Sequence, residues 1–556
     1  MRTDVWRAGR IYLFHSLYHT MEKVPFIKAY LHSLKRMLEL MKPQPEEIIE
    51  SEAFVMLILV YGMTGFFYLI LCAVLRWTVF YGMIAGVVFY LWSRHLFLLI
   101  RGHLERNFQK EFRIFLGTFY NRYAALRSVE EALLESMDKL DNGIVYHLQQ
   151  IYDLLLQEDV DQIREYQNNC ISPYLYSFLV YSYLEVLYGD GKMDSEFSYV
   201  KAVNSLEQQI YQESLRKERM RNLFMGLIPI VLLPVLFLYS IEKWGIFNLP
   251  QLSSYYHNSY GCVVCYILLM ATIGCYEVVM WLKEDMEIFF FQSPLLQKVA
   301  SLFLVRYCFI MWSEHHPKQV QMLNEKLRQI SSRISLEEFC ASRLLMSFLT
   351  GLFSIFLFVL SGQVKGWNIF GVFLLVTVVT VLAYQVPFFG LLVKCYLMES
   401  EMEQEVMRFH GLLSMFAKLD KSDVLTVLEW LEKASVIFYP SLAECVDEYC
   451  SDSSEALETL KEKETYLPFQ KIAEALIASE EIGMKKAMDS LATQQKYLLY
   501  KQKQDNEIRA QNRGAIGKVI AFMPMVLTIF LYLIIPFVLE SLVQLREYVM
   551  ELKLVQ

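Results

Sequence analysis

Long uncharged stretches alternate with polar, charge-rich stretches along this chain of 556 residues. Seven of the uncharged stretches are long and apolar enough to predict helices that cross a bilayer core, which takes about 20 residues. They lie at 53–75, 77–93, 223–241, 259–282, 344–361, 367–393 and 519–539. Arg94 and His95 interrupt the second stretch before the apolar residues 96–100, and both side chains can reach the membrane boundary.

Two large polar segments have the residue spacing of helices. They lie at 101–222 and 396–517. In the first segment, apolar residues recur at helical spacing over 129–137, behind Ser128 as N-cap. In the second segment, Asp423 precedes a similar stretch at 424–431. Proline later in each segment ends one helix and allows another to start, so the sequence predicts a small helical bundle from each segment.

The order of apolar and polar stretches is repeated along the chain. Equivalent points, such as the starts of the first and fifth spans at 53 and 344, are 290 to 296 residues apart, and each large polar segment has 122 residues. An even number of spans separates equivalent points, which predicts a parallel internal duplication. The fold class that follows is an all-α polytopic membrane protein with about seven transmembrane helices and two cytoplasmic helical bundles.

This duplication predicts the following domains. They are an amphipathic cytoplasmic lead-in at 1–52, a transmembrane pair at 53–100, a first bundle at 101–222, a transmembrane pair at 223–282, the lead-in of the second repeat at 283–343, a transmembrane pair at 344–393, a second bundle at 394–518, a transmembrane helix at 519–539 and a C-terminal tail at 540–556.

Lysine and arginine predict the orientation of the spans. Each large polar segment carries 14 of them, whereas the short connections at 242–258 and 362–366 carry one each. Cytoplasmic loops carry the excess of these residues, so we expect both large segments and the N-terminus to lie in the cytoplasm. No cleavable signal peptide is visible in residues 1–52, and we expect the first span to act as the insertion signal.

Composition narrows the class of protein. Hydrophobic residues make up 55% of the chain and charged residues 20%, compared with about 25% charged residues in soluble proteins. The apolar surplus is concentrated in the long uncharged stretches, which excludes a purely soluble enzyme. The formal net charge of −8 excludes a generally basic nucleic-acid binder. The ten cysteines lack the paired spacing of a disulfide framework, which favours a reduced cytosolic and membrane setting.

Motifs for catalysis, cofactors or metals are weak. Gly189–Lys192 lacks the length and the following Ser or Thr of a phosphate-binding loop, and a turn between helices is favoured. Cys262 and Cys265 begin a spanning helix without a second ligand pair nearby. The run at 314–316 precedes a proline in a polar stretch and is typical of a solvated turn. We therefore expect no enzyme activity, no cofactor and no metal site.

Glu277 is the candidate for a functional charge inside the membrane. Carboxylates within spans are costly and often functional, but this one lies close enough to the cytoplasmic end to reach the interface. The spans hold few other ionisable residues, unlike an ion-coupled transporter with a charged midplane site. A substrate site formed by Gln385, Thr377 and Thr380 is an alternative interpretation.

The layout resembles the F-domain family of type II secretion systems, in which paired spans, a helical cytoplasmic bundle and further spans occur together. Leu126–Leu133 is similar to the start of a helix in that family, with Arg127 where glycine is common. A basic run before a proline-containing span is similar in both copies, at Arg216–Arg221 and Arg509–Lys518.

A turn late in each bundle carries the rest of the resemblance. Ser479–Ala487 is similar to the family's turn of glycine-glutamate followed by glycine, with serine in place of the first glycine. The first copy keeps only a short glycine pair at the matching place. The resemblance implies turn or partner-contact positions at Gly189, Gly191, Glu480 and Gly483.

The family comprises inner-membrane platform proteins of type II secretion, type IV pilus and tight-adherence (Flp) pilus systems, and this chain resembles two such proteins fused end to end. The resemblance implies a platform that couples a separate hexameric secretion ATPase to the movement of pilin-like single-span subunits. It implies contacts with other inner-membrane assembly proteins and with lipid, no contact with nucleic acid, and a multi-pass location in the inner (plasma) membrane. Self-association is left open.

Two other classes of function stay open from the sequence. A transporter or channel would bind a small solute and enclose a polar path between its spans. A membrane sensor or scaffold would use its bundles to recruit cytosolic signalling proteins.

Overall fold

A computed structural model describes most of the chain. The described residues are 12, 14–23, 25–41, 44–74, 79–138, 140, 142–157, 160–189, 193–283, 294–329, 335–361, 368–417, 423–464 and 466–555. In the structure 92% of residues are helical, and the described residues contain no strand. The all-α prediction is confirmed.

Seven helices are long and apolar enough to cross a membrane. They are Glu46–Ile70, Ile84–Leu126, Ser198–Asn248, Tyr260–Leu282, Leu336–Phe356, Phe370–Phe416 and Lys503–Met550. Each contains most of one stretch that the sequence predicted as a span, so the prediction of a multi-pass membrane protein is confirmed. Residues 75–78 and 362–367, on which predicted ends of three spans fall, lie outside the described residues.

The helices are numbered here in chain order. They are α1 Pro25–Met41, α2 Glu46–Val74, α3 Val79–Leu126, α4 Val129–Met137, α5 Asn142–Gln157, α6 Val160–Asn169, α7 Pro173–Tyr188, α8 Met193–Phe224, α9 Leu227–Asn248, α10 Ser253–Tyr256, α11 Ser259–Leu282, α12 Pro294–Ala300, α13 Phe303–His315, α14 Pro317–Gln329, α15 Leu336–Ser361, α16 Asn368–Phe416, α17 Val424–Ala434, α18 Tyr439–Tyr449, α19 Ser453–Lys463, α20 Leu467–Ile482, α21 Met484–Leu527 and α22 Ile535–Val555. A π-helical segment, Thr528–Ile534, joins the last two.

The chain divides into two compact units. The first unit lies within Met1–Gly62, His95–Lys217 and Glu399–Glu507, and the second within Met63–Arg94, Glu218–Met398 and Ile508–Gln556. The helices α2, α3, α8, α16 and α21 each begin in one unit and end in the other.

In the first unit, helices of both large polar segments contribute to one hydrophobic core. Phe115, Phe178 and Leu206 come from the first segment, and Leu428 and Leu476 from the second, and all five are fully buried. The bundles predicted separately from each segment therefore share their interior.

Capping and proline explain where several of these helices start. The Ser128 hydroxyl accepts a hydrogen bond from the Glu131 amide at 3.3 Å, as the sequence predicted for the N-cap of α4. Pro173, Pro440 and Pro468 lie in the first turns of α7, α18 and α20. Proline lacks an amide hydrogen and is readily accommodated in the first turn of a helix, where the amide has no helical partner.

The second unit has a core of its own among its apolar helices. Leu238 of α9, Leu268 of α11 and Tyr532 of the π-helical segment are buried in it. The Tyr256 hydroxyl donates to the carbonyl of Tyr532 at 3.0 Å. This bond satisfies a buried polar group that has no water to bond in an apolar core.

The N-terminal helices pack on the start of the first span. Tyr18, within the helical residues 14–21, is buried with Leu34 of α1 and with Phe54 and Leu57 of α2. The described helical residues 14–21 and α1 thus have apolar side chains that are covered by the start of α2.

Candidate functional site

Glu277 forms an ion pair within the second unit. Its Oε1 accepts a hydrogen bond from Nη1 of Arg94 at 2.6 Å, and the two side chains are 21% and 19% exposed. Arg94 lies in α3 and Glu277 in α11. The structure therefore brings together Glu277, the candidate for a functional intramembrane charge, and Arg94, which the sequence predicted only as a residue at the membrane boundary.

A second bond joins the same two helices beside the ion pair. The hydroxyl of Tyr276, a fully buried residue, donates to the carbonyl of Leu91 at 3.0 Å. Two neighbouring positions of α11 are thus bonded to two neighbouring turns of α3. Opposite charges in contact cancel each other's field, so the pair is suited to holding two spans together.

A second buried cation in an apolar helix was not recognised from the sequence. Arg343 of α15 is 7% exposed and donates from Nη2 to Gln385 Oε1 at 3.0 Å and from Nε to the Tyr384 carbonyl at 3.2 Å. Its guanidinium lies 4.0 Å from the centre of the Tyr384 ring. The sequence signal was available, since an arginine at the start of an apolar run needs acceptors from a neighbouring helix.

The polar residues proposed for a substrate site have partners in the protein. Gln385 accepts from Arg343, and the hydroxyls of Thr377 and Thr380 donate to carbonyls of their own helix, at 2.8 Å to Phe373 and at 3.1 Å to Thr377.

In the first unit, tyrosines of α7 connect the two large polar segments. Eleven residues of α7 are buried. The Tyr181 hydroxyl donates to the Arg408 carbonyl at 2.7 Å, and the Tyr176 hydroxyl donates to the Lys433 carbonyl at 2.8 Å. Burial raises the pKa of both hydroxyls, so they remain neutral hydrogen-bond donors. This helix thus makes polar connections between segments that the sequence placed in different bundles.

Glu405 of α16 is a buried carboxylate that the sequence did not identify. It is 0% exposed, and its oxygens accept from the amides of Val436 at 2.8 Å and Ile437 at 3.0 Å. These amides lie just before α18, where helical amides have no intrahelical acceptor. Burial raises the pKa of this carboxyl, and nearby Arg408 and the amide hydrogen bonds oppose that rise. Through these bonds the side chain fixes the path of the chain between α17 and α18.

Gly189 and Gly483 occupy equivalent places at the ends of two helices. The Gly189 amide donates to the Glu185 carbonyl at 2.9 Å after α7, and the Gly483 amide donates to the Ser479 carbonyl at 3.1 Å after α20. Gly483 has φ +86°, a conformation that favours glycine. The Glu480 carboxylate accepts from the Tyr449 hydroxyl at 2.6 Å. Gly191 lies outside the described residues.

Exposed apolar side chains flank both of these helix ends. Leu187 and Tyr188 precede Gly189, and Ile482 precedes Gly483, with 39%, 41% and 52% of their surfaces exposed. These exposed side chains are accessible positions at which contact with another protein can be tested.

Comparisons with known protein families, with curated proteins and with solved structures found no match to this chain.

Proposed function

We propose that this protein is an inner-membrane platform of a type II secretion or pilus assembly machine. It couples a separate cytoplasmic secretion ATPase to the movement of pilin-like single-span subunits. The observation that carries this proposal is the set of helices that run without interruption from the first unit into the apolar second unit, α3, α16 and α21 among them.

Continuous helices transmit displacement. The helix α3 has 48 residues, α16 has 49 and α21 has 44, and each joins a polar half to an apolar half. In this proposal an ATPase that moves the polar halves also moves the spans, because one helix joins each pair of halves. Pro387 in α16 and Pro524 in α21 are places where these helices can bend. Such coupling requires two arrangements of the unit that the ATPase stabilises differently.

We further propose that the chain is an internal duplication. The helices α7 and α20 both have 16 residues, both have proline in the first turn and both end at a glycine. The long helices α3 and α16 precede short helices that start at Val129 and Val424, and α8 and α21 follow the glycine ends. The same order of elements in both polar segments supports a tandem pair.

Arg127 supports the resemblance to the F-domain family. It stands where that family commonly has glycine, and it is the one non-glycine residue with positive φ among the described residues, at +58°. A left-handed backbone here is the reason why glycine is favoured at this place.

The transporter alternative requires polar groups that are available to a solute between the spans. The bonds of Gln385, Thr377 and Thr380 within the protein count against it. The sensor or scaffold alternative differs in the partner it recruits, so partner capture separates it from the platform.

The proposal is tested by site-specific photocrosslinking in native cells. A photoreactive residue at Ile482 probes the exposed helix end, and one at Ser454 of α19, also exposed, is the matched control. Capture of a secretion-type ATPase at Ile482 and not at Ser454 supports the platform. Capture of signalling proteins, or no capture of an ATPase at either position, contradicts it.

Orientation is tested separately. In a variant without its native cysteines, single cysteines at Asp190 and Glu464 should both be shielded from impermeant reagents in intact cells. Labelling of either cysteine would overturn a cytoplasmic location of the two polar segments.

A further inference from the structure

Two histidines and a buried carboxylate meet at the N-terminal lead-in of the first unit. His15 and His19 lie in the helical residues 14–21, and Glu50 lies in the first turns of α2. His15 Nδ1 is 2.8 Å from Glu50 Oε2, and His19 Nε2 is 3.5 Å from the same oxygen. One nitrogen from each histidine and one carboxylate oxygen all lie within 4.8 Å of one another.

Among the described residues, the two innermost atoms of this cluster have no hydrogen-bond partner. Glu50 is 3% exposed, and neither its Oε2 nor His15 Nδ1 has a partner in hydrogen-bond geometry among the described residues. A buried carboxylate oxygen without a donor costs free energy. A cation between the carboxylate and the two rings removes that cost.

Neighbouring groups orient the three side chains. The other carboxylate oxygen of Glu50, Oε1, accepts from Lys35 Nζ at 2.7 Å, which leaves Oε2 directed at the histidines. His19 Nδ1 lies 3.6 Å from the Glu22 carboxylate, so its second nitrogen faces an acceptor. Carboxylates that hold the far nitrogen of a histidine are common around metal ligands, where they fix the ring and its tautomer.

The charges around the cluster favour a cation. Among the described residues, the basic side chains in ion-pair contact beside the two ligand histidines are Lys35, Lys28 and His32, and each contacts a carboxylate. The acidic groups outnumber them. They are Glu22, Glu39, Glu46 and Glu50.

We propose that His15, His19 and Glu50 bind a divalent transition-metal ion, with Zn²⁺ as the representative ion. Zinc bonds of 2.0–2.1 Å in tetrahedral geometry place ligand atoms about 3.3 Å apart, and the observed distances of 2.8 and 3.5 Å lie on either side of that value. Two histidines and one carboxylate are an established ligand set for zinc and for non-haem iron. Three protein ligands leave a fourth position for water or another donor.

The site ties the N-terminal helix to the first span. His15 and His19 are four residues apart and therefore lie on one face of their helix, while the carboxylate comes from the helix that continues into the membrane. The bound metal links the helix of residues 14–21 to α2. This link does not depend on whether the protein acts as a secretion platform. Sequence reasoning missed the set because its third ligand is distant along the chain.

The test uses the full-length protein, purified in detergent with a tag that contains no histidine. Metal is removed with a chelator, the protein is dialysed against Zn²⁺ or Mg²⁺, and bound metal is measured by mass spectrometry. We expect about one zinc per chain, no retained magnesium, and a raised melting temperature with zinc only.

Variants identify the ligands. His19→Ala removes a half-exposed ring and should abolish stoichiometric zinc without unfolding the protein. His15→Ala and Glu50→Gln should do the same. His103→Ala is the matched control, because that exposed histidine contacts Asn107 in the same unit and belongs to no candidate ligand group among the described residues. Equal zinc in the His15→Ala/His19→Ala protein and the wild type, or no zinc in folded wild type, would overturn the site.

Discussion

The Nη1 atom of Arg94 lies 2.6 Å from Oε1 of Glu277, and this contact joins two spans across 183 positions of sequence. Glu277→Gln removes the negative charge and leaves the guanidinium facing a neutral amide. We expect the free energy of unfolding to fall by about 1–3 kcal/mol, because a partly buried cation then lacks its counter-charge. Thermal unfolding in detergent, followed by circular dichroism, measures the loss.

A double-mutant cycle is the control for this pair. In the Arg94→Gln/Glu277→Gln protein neither charge is left alone, so the loss should be smaller than the sum of the two single losses. Strictly additive losses would mean that the ion pair does not stabilise the fold.

Glu405→Ala should lower the free energy of unfolding by about 3 kcal/mol, since the amides of Val436 and Ile437 lose a buried acceptor that each of them bonds. Glu405→Gln keeps an acceptor oxygen and should cost less. Glu444→Ala breaks a surface ion pair with Lys463 and is the matched control, with an expected change below about 1 kcal/mol. Equal effects of Glu405→Ala and Glu444→Ala would contradict the capping role.

Arg127→Gly should raise the free energy of unfolding by about 0.5–1 kcal/mol. Its φ of +58° strains any residue with a Cβ, and glycine adopts it freely. Arg127→Ala separates backbone strain from side-chain contacts, because alanine loses the contacts and keeps the strain. A gain with alanine as large as that with glycine would show that φ is not the cause.

His147 should make stability depend on pH. Burial lowers its pKa below the ordinary value, and its Nε2 lies 2.6 Å from the Leu40 carbonyl. The unfolded chain then binds a proton near pH 6.5 that the folded chain binds only at lower pH. The contribution of the neutral His147 ring to the free energy of unfolding is fully present above pH 6.5. It is lost as the pH falls from there towards the folded pKa, with a limiting slope of about 1.4 kcal/mol per pH unit.

Comparison with His147→Gln measures this contribution, because other groups titrate in both proteins. The difference in stability between the two proteins should change with pH below 6.5 and be constant above it. A constant difference across the whole range would contradict the shifted histidine.

Gly517→Leu should destabilise the second unit. A Cβ at this position of α21 would lie 2.5 Å from the ring of Phe224, so any larger side chain forces the two helices apart. We expect a loss of about 1–3 kcal/mol and a lower yield of monodisperse protein in detergent. Gly274→Leu is the control, since nothing lies within 4 Å of a Cβ there. Similar losses in both variants would rule out close packing at Gly517.

The spans and several helix starts could be predicted from sequence because they depend on local information. A run of about 20 apolar residues specifies a span by itself. Ser128 and Pro173 act within one helical turn, and the structure confirms the helix starts that they predict. These features need no knowledge of distant residues.

The contacts at the candidate sites depend on distant residues, so the sequence could not reveal them. Arg94 with Glu277, and Glu405 with Val436, meet only after the helices have packed. The shared core of the first unit is a further example. Each polar segment has the periodicity of a complete bundle, and periodicity does not tell which helices a buried face will contact.

The hydrogen bonds of the α7 tyrosines can form only late in biosynthesis. The carbonyls that Tyr176 and Tyr181 bond to belong to Lys433 and Arg408, more than 200 residues later in the chain. At about 5–20 residues per second, a ribosome needs on the order of 10–50 seconds to reach them. Throughout that interval the apolar residues of the first segment that the second segment later covers stay exposed beside the membrane. They must be kept from other contacts until the second half of the chain emerges.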